Sequence, residues 1–190
     1  LAERPVRRTL LNWTHKLAIL IAVVAVMIGM VVAQGSGGSA STAPKRSPAG
    51  LPIETIRVNG EAFETEIAAD DASRAKGLGG RTSIGAQEAM LFVFRQSDIQ
   101  RFWMKDCLMD VDIVFLDRTG RITATHEMKQ EPAKQPGESD AQYQARLPFY
   151  SSDKEALYAM EFKAGTIQRL GLKPGQTITL DHGKMRAYLR

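Results

Sequence analysis

The chain has 190 residues, 44% apolar and 24% charged, which allows one globular domain of ordinary size plus appendages. Its formal charge of +4 is unevenly placed: Arg4, Arg7, Arg8, Lys16, Lys45 and Arg46 against Glu3 put +5 before position 51 and leave −1 for residues 51–190. So nearly neutral a domain lacks the charge for a phosphate-binding face, and nucleic acid is excluded as an expected partner.

Residues 1–16 form a basic flank. Leu17 to Ala33, LAILIAVVAVMIGMVVA, follows without a charge, and as a helix it would extend about 25 Å, enough to cross a thin or locally compressed hydrocarbon core. A soluble core helix would show a polar stripe, and this run shows none. The cations precede it, which predicts a cytoplasmic flank and a periplasmic or extracellular domain. Val31-Val32-Ala33 also passes as a cleavage site, so a secretory signal peptide is the rival reading, with the domain then secreted. The run exceeds the usual ~7 to 15 residues of a signal core, which favours an uncleaved transmembrane helix. Residues 34–52, rich in Gly, Ser and Pro, have little to bury and read as a disordered linker.

The domain proper is expected over residues 53–190. Ile53 to Val58, Asn59-Gly60 and Glu61 to Ala68 match a hairpin with a two-residue type I′ turn, setting Ile56 opposite Phe63. Asp70 to Lys76 reads as a short helix capped by Asp70 or Asp71 and stopped at Gly77. Further strands are expected at Ala89 to Phe94, Ile99 to Lys105, Val111 to Leu116, Arg121 to Thr125, Ala156 to Phe162 and Thr177 to Leu180. Met128 to Lys154, with Pro132, Pro136 and Pro148, has no steady period and reads as an extended loop. The pattern predicts a mostly β fold, an antiparallel sandwich or barrel with one or two short helices.

Several short motifs, in this order and spacing, resemble the family known as domain of unknown function 192. They are Arg74-Ala-Lys-Gly77-Leu78-Gly-Gly-Arg81, Met90-Leu-Phe-Val-Phe94, Phe102-Trp103-Met104-Lys105-Asp106-Cys107, Asp112-Ile-Val-Phe115-Leu-Asp117 and Gly120-Arg-Ile122. Met160-Glu161, Ala164-Gly165 and Leu170-Gly171-Leu-Lys-Pro-Gly175 complete the resemblance, which spans Ile56 to Leu180. It implies a compact jelly-roll-like β domain, often behind a signal or anchor, with no established reaction. The chain departs from the family pattern at Gly79, Ala89, Asp106-Cys107 and Asp110, where Met, Gly, Asn-Thr and Pro are usual.

Candidate ligand-binding residues are Trp103, Lys105, Arg81, Asp112 and Glu161. Strand alternation over Ile99 to Lys105 would put Trp103 between Arg101 and Lys105, a surface suited to a flat body with an anionic group or to a sugar. The bland alternative is a half-buried indole covered by two cationic stems. Asp112 and Glu161 interrupt apolar strands and need partners, for which Arg81 and Lys105 are the candidates, as structural fastenings or as an acid/base pair.

Cys107, the only cysteine, permits no intrachain disulfide, and its nearness to Lys105 raises a nucleophilic thiol, for which no base is recognisable. His126 and His182 form no ligand cluster, and no phosphate loop or nucleophile elbow occurs, so neither metal nor cofactor is expected. The expected function is a membrane-tethered module binding a small molecule, a glycan or an envelope protein. The alternatives are an enzyme using Asp112 and Glu161 with Lys105 and Arg81 in a cleft, and a purely structural envelope protein.

Overall fold

The computed structural model describes residues 45–189. The expected basic flank, membrane segment and most of the linker lie outside this range. Among the described residues no helix is long and apolar enough to cross a membrane.

Strands β1 (Ile53–Val58) and β2 (Glu61–Ala68) form the expected hairpin, with Ile56 opposite Phe63 and Arg57 opposite Ala62. Asn59 and Gly60 take φ of 47° and 85°, the pair of left-handed conformations that a type I′ turn requires. Helix α1 (Asp71–Lys76) carries a reciprocal capping box between Asp70 and Ser73 and ends at Gly77, whose N–H donates to the Ser73 carbonyl.

Strand β3 (Glu88–Phe102) joins two expected strands into one. Its first half lies between β2 and β6, and Asp98 to Phe102 continue as a ribbon with β6 alone after a register shift at Val93/Asp98. Strand β4 (Val111–Leu116) is buried throughout, and β5 (Ile122–Met128) runs past its expected end. The expected loop after β5 contains helix α2 (Asp140–Ala145), where the buried Tyr143 accepts a hydrogen bond at its hydroxyl from the Asp106 N–H at 3.1 Å. Strand β6 (Tyr150–Lys163) begins six residues before the expected start at Ala156. Helices α3 (Thr166–Leu170) and α4 (His182–Ala187) follow, while Thr177 makes only an isolated bridge to Arg121 in place of a strand.

The six strands form one mixed sheet in the order β1-β2-β3-β6-β4-β5. The fold is mostly β, but the expected antiparallel sandwich or barrel is corrected to a single sheet whose β2–β3 pair runs parallel. A parallel pair needs a crossover, and α1 with the loop through Gln87 supplies it. The pairing does not join β1 to β5, and four short helices stand among the described residues where one or two were expected.

Both faces of the sheet are covered. On one, Phe63, Leu91, Val114, Tyr158 and Phe162 pack beneath Ile167, Leu172, Ile178 and Met185 from α3, α4 and the segment between them. On the other, Met90, Phe92, Ile113, Phe115 and Ala159 pack beneath Leu78, Ile84, Met104 and Cys107. Residues 45–52 belong to this body and not to a disordered linker: Ile53 N–H donates to the Lys45 carbonyl and Ile67 N–H to that of Pro52, both at 2.8 Å, and Ser47 is buried.

Candidate functional site

Glu161 lies in the central strand β6, opposite Met90 of β3 and Ile113 of β4, so its side chain shares their face. It is 5% exposed, and its Oε2 is, among the described residues, the one buried side-chain nitrogen or oxygen without a hydrogen-bond partner. Burial pushes its carboxyl up to about 8, with Arg81 as the opposing charge. The carboxyl is therefore mostly protonated at neutral pH.

A loop of three closely spaced glycines passes over this carboxyl. At Gly77, where φ is +48°, a Cβ would stand 3.4 Å from the Phe92 ring and 4.0 Å from Glu161 Oε2. A Cβ there would make only ordinary contacts, so it is the left-handed φ and not lack of space that favours glycine where the backbone passes the carboxyl. The loop is tied at both sides, by the Gly80 N–H donating to the Asp106 carbonyl at 2.8 Å and by Arg81 to Glu66.

Between this loop and the end of β3 lies a cavity of about 250 Å³. That is room for several waters or one small metabolite. Phe92, Phe94 and Phe102 supply apolar walls, Cys107 and Glu161 also line it, and Arg74, Lys76, Arg101 and Lys105 bring cations. Phe102 stands edge-on to Phe92, Phe94 and Phe115, at centroid distances of 4.8, 6.3 and 5.4 Å, which fixes the wall beneath the mouth.

Of the candidate residues, Trp103, Lys105 and Glu161 line this cavity. The alternation expected around Trp103 is corrected: β3 stops at Phe102 and the chain turns through Asp106, where φ is +57°. Phe102 and Trp103 thereby line the same cavity. The indole has Lys105 Nζ 5.9 Å from its ring centre and stacks on Phe149 at 5.4 Å, so its neighbours are one cation and one aromatic ring, not two cations. Phe149 itself is 58% exposed.

Arg81 stands beside the cavity, engaged with Glu66 at 2.9 and 2.6 Å. Asp112 is not part of the site. It lies opposite Phe162, on the other face of the sheet from Glu161, and its Oδ2 accepts the Ile167 N–H of α3 at 2.7 Å. The structure thus does not assemble Asp112 and Glu161 into one cleft. No group of three or more His, Cys, Asp and Glu side chains suited to a metal occurs among the described residues.

Lys76 and Gly77, read from the sequence only as a helix end and its stop, were not among the candidate site residues. The available signal was the density of glycine at 77, 79 and 80 directly after a cation.

These elements fall within a recognised family. The model for domain of unknown function 192, described as Uncharacterized ACR, matches residues 54–180. The chain belongs to this family. No curated protein matches it. The chain is similar to a protein of unknown function from Novosphingobium aromaticivorans DSM 12444, with 26% identity and a TM-score of 0.60, over 74% of this chain and 94% of that one. It is also similar to a protein from Sinorhizobium meliloti 1021 provisionally named a transcription regulator, with 27% identity and a TM-score of 0.52, over 67% and 90% of the two chains. The domain of unknown function 192 match includes every residue lining the Glu161 cavity.

Proposed function

We propose that this member of the family is a membrane-tethered, extracytoplasmic binding module whose ligand is a small molecule seated between the Gly77–Arg81 loop and the end of β3. The charge-free run 17–33 behind a basic flank supports the address. The observation that carries the binding role is the unpartnered Oε2 of Glu161 beside a lined cavity. Buried polar groups in folded proteins are paired with few exceptions, and an exception facing a cavity is accounted for when a ligand completes it. A glycan or an envelope protein would address the half-buried Trp103 and the exposed Phe149 rings but would leave this recessed carboxyl unused.

Native mass spectrometry of the full chain, released from membranes of its own host, tests the reading. A co-purified small molecule lost in Trp103→Ala and in Lys76→Glu is the expected result. A ligand-free mass, with no response to a fragment library by NMR, would remove the binding role and favour a structural one.

A further inference from the structure

The charges around the cavity specify the kind of small molecule, given that the cavity is a small-molecule site as proposed above. Lys76 at the end of α1 and Arg101 and Lys105 at the end of β3 all line it. Among the described residues these three enter no ion pair, whereas Arg74 is held by Asp71 and the Val93 carbonyl, and Arg81 by Glu66. Three uncommitted cations at one cavity suit an anionic group.

The floor has the opposite character. Glu161 is flanked in the sheet by the non-ionisable Met90 and Ile113 and covered by the Gly77 backbone. The titratable and charged groups that share its surroundings are Arg74, Lys76, Arg81, Arg101, Lys105 and the Cys107 thiol, with two acids close by, Glu66 on the same sheet face and paired to Arg81, and Asp106 beside Cys107. Burial, reinforced by Glu161, holds that thiol up at about 11. An ionised carboxylate with no hydrogen bond is costly in such a place, while a neutral carboxyl has both an O–H to give and an oxygen to accept.

We propose that the cavity takes a small anion with an apolar body, and that Glu161 meets it as the neutral acid, donating its O–H to an acceptor on the ligand. Lys76, Arg101 and Lys105 hold the charged group at the mouth, and the phenylalanine wall encloses the body. A cation seeking a carboxylate would meet three like charges before reaching one.

Benzoate, benzyl alcohol and benzamidine, each carrying a para-acetyl group whose carbonyl can accept from Glu161, titrated into the full chain in detergent micelles and followed by calorimetry, separate the possibilities because they share a ring and an acceptor and differ in charge. Benzoate should bind at pH 6.5 at least about tenfold more tightly than benzamidine, and above pH 8 its affinity should fall about tenfold per pH unit. Glu161→Gln keeps a donor at the same position, so it should retain benzoate within about threefold and lose the alkaline decline, whereas Glu161→Leu should lose the ligand. Circular dichroism of both variants checks that they fold. Preference for benzamidine, abolished in Glu161→Gln, would overturn the neutral-acid arrangement and leave the cavity as a binding site for cations. If none of the three bound while the native-mass experiment still showed a Trp103-dependent ligand, the anion chemistry would fall and the site would stand. Silence in both would remove the site itself.

Discussion

Arg81 grips Glu66 through both terminal guanidinium nitrogens, at 2.9 and 2.6 Å, and so ties the glycine loop to β2 while standing as the charge that opposes burial at Glu161. Bidentate pairs of this kind are among the stronger ion pairs, and here both partners are substantially covered. Arg81→Ala is expected to cost roughly 1 to 2 kcal/mol in urea denaturation. It should also speed amide exchange at Gly79 and Gly80 and move the Glu161 carboxyl further up. Arg81→Lys keeps the charge and loses the fork, so it should restore the carboxyl but not the exchange protection. Unchanged exchange in Arg81→Ala would show that the Gly80 to Asp106 bond alone secures the loop.

The buried carboxyl also governs stability against pH. Its native pKa, raised from the ordinary 4.5 to about 8, means that between those values the folded protein holds a proton that the unfolded chain has released. Stability from this group is therefore fully present below about 4.5, declines as pH rises through the window, and levels off above about 8. The total is as much as roughly 4 to 5 kcal/mol. Glu161→Gln should gain on the wild type progressively over that range in chemical denaturation at fixed temperature. A constant difference from pH 5 to pH 9 would mean that the carboxyl is ionised in the folded protein.

On the opposite face, Asp112 has a structural duty. It is 1% exposed and accepts the Ile167 N–H at 2.7 Å, bringing a carboxylate to a five-residue helix inside the larger apolar cluster. Asp112→Ala is expected to lower stability by roughly 1 to 3 kcal/mol, with no change in benzoate affinity in protein that remains folded. An affinity loss matching that of Glu161→Leu would connect the two faces in a way their register does not suggest.

Cys107 provides a chemical probe of the floor. With its thiol held near 11, almost none of it is thiolate at neutral pH, and alkylation by iodoacetamide at pH 7.5 should be at least about tenfold slower than for an unfolded peptide. Occupied cavity should slow it further. Rapid labelling, followed by intact mass, would mean that the glycine loop opens freely.

Local signals were legible wherever one residue decides the conformation. Asn59-Gly60 dictated the hairpin and its register, Asp70 and Gly77 bounded α1, and the unbroken apolar run Val111–Leu116 marked a fully buried strand. The parallel pairing of β2 with β3 carries no such residue, because it depends on where the crossover returns the chain. The helix in the Pro-rich loop was hidden because only Tyr143 of its six residues is buried, too little for an apolar period. At the site, Glu161 and Trp103 announced themselves as a charge in an apolar strand and an indole among cations. Asp112 gave the same signal as Glu161 and turned out to face the other way. Only the register of β4 against β6 separates them.

The strand order has a kinetic consequence. β6, the last strand in chain order, inserts between β3 and β4, which have no direct pairing with each other. Until residue 163 has left the ribosome, the nascent chain can form only two half-sheets, β1-β2-β3 and β4-β5, each with an apolar strand along an open edge. Such edges recruit foreign strands readily. Completion of the sheet and burial of Glu161 therefore coincide, and a chain arrested before β6 has neither a closed core nor the cavity floor.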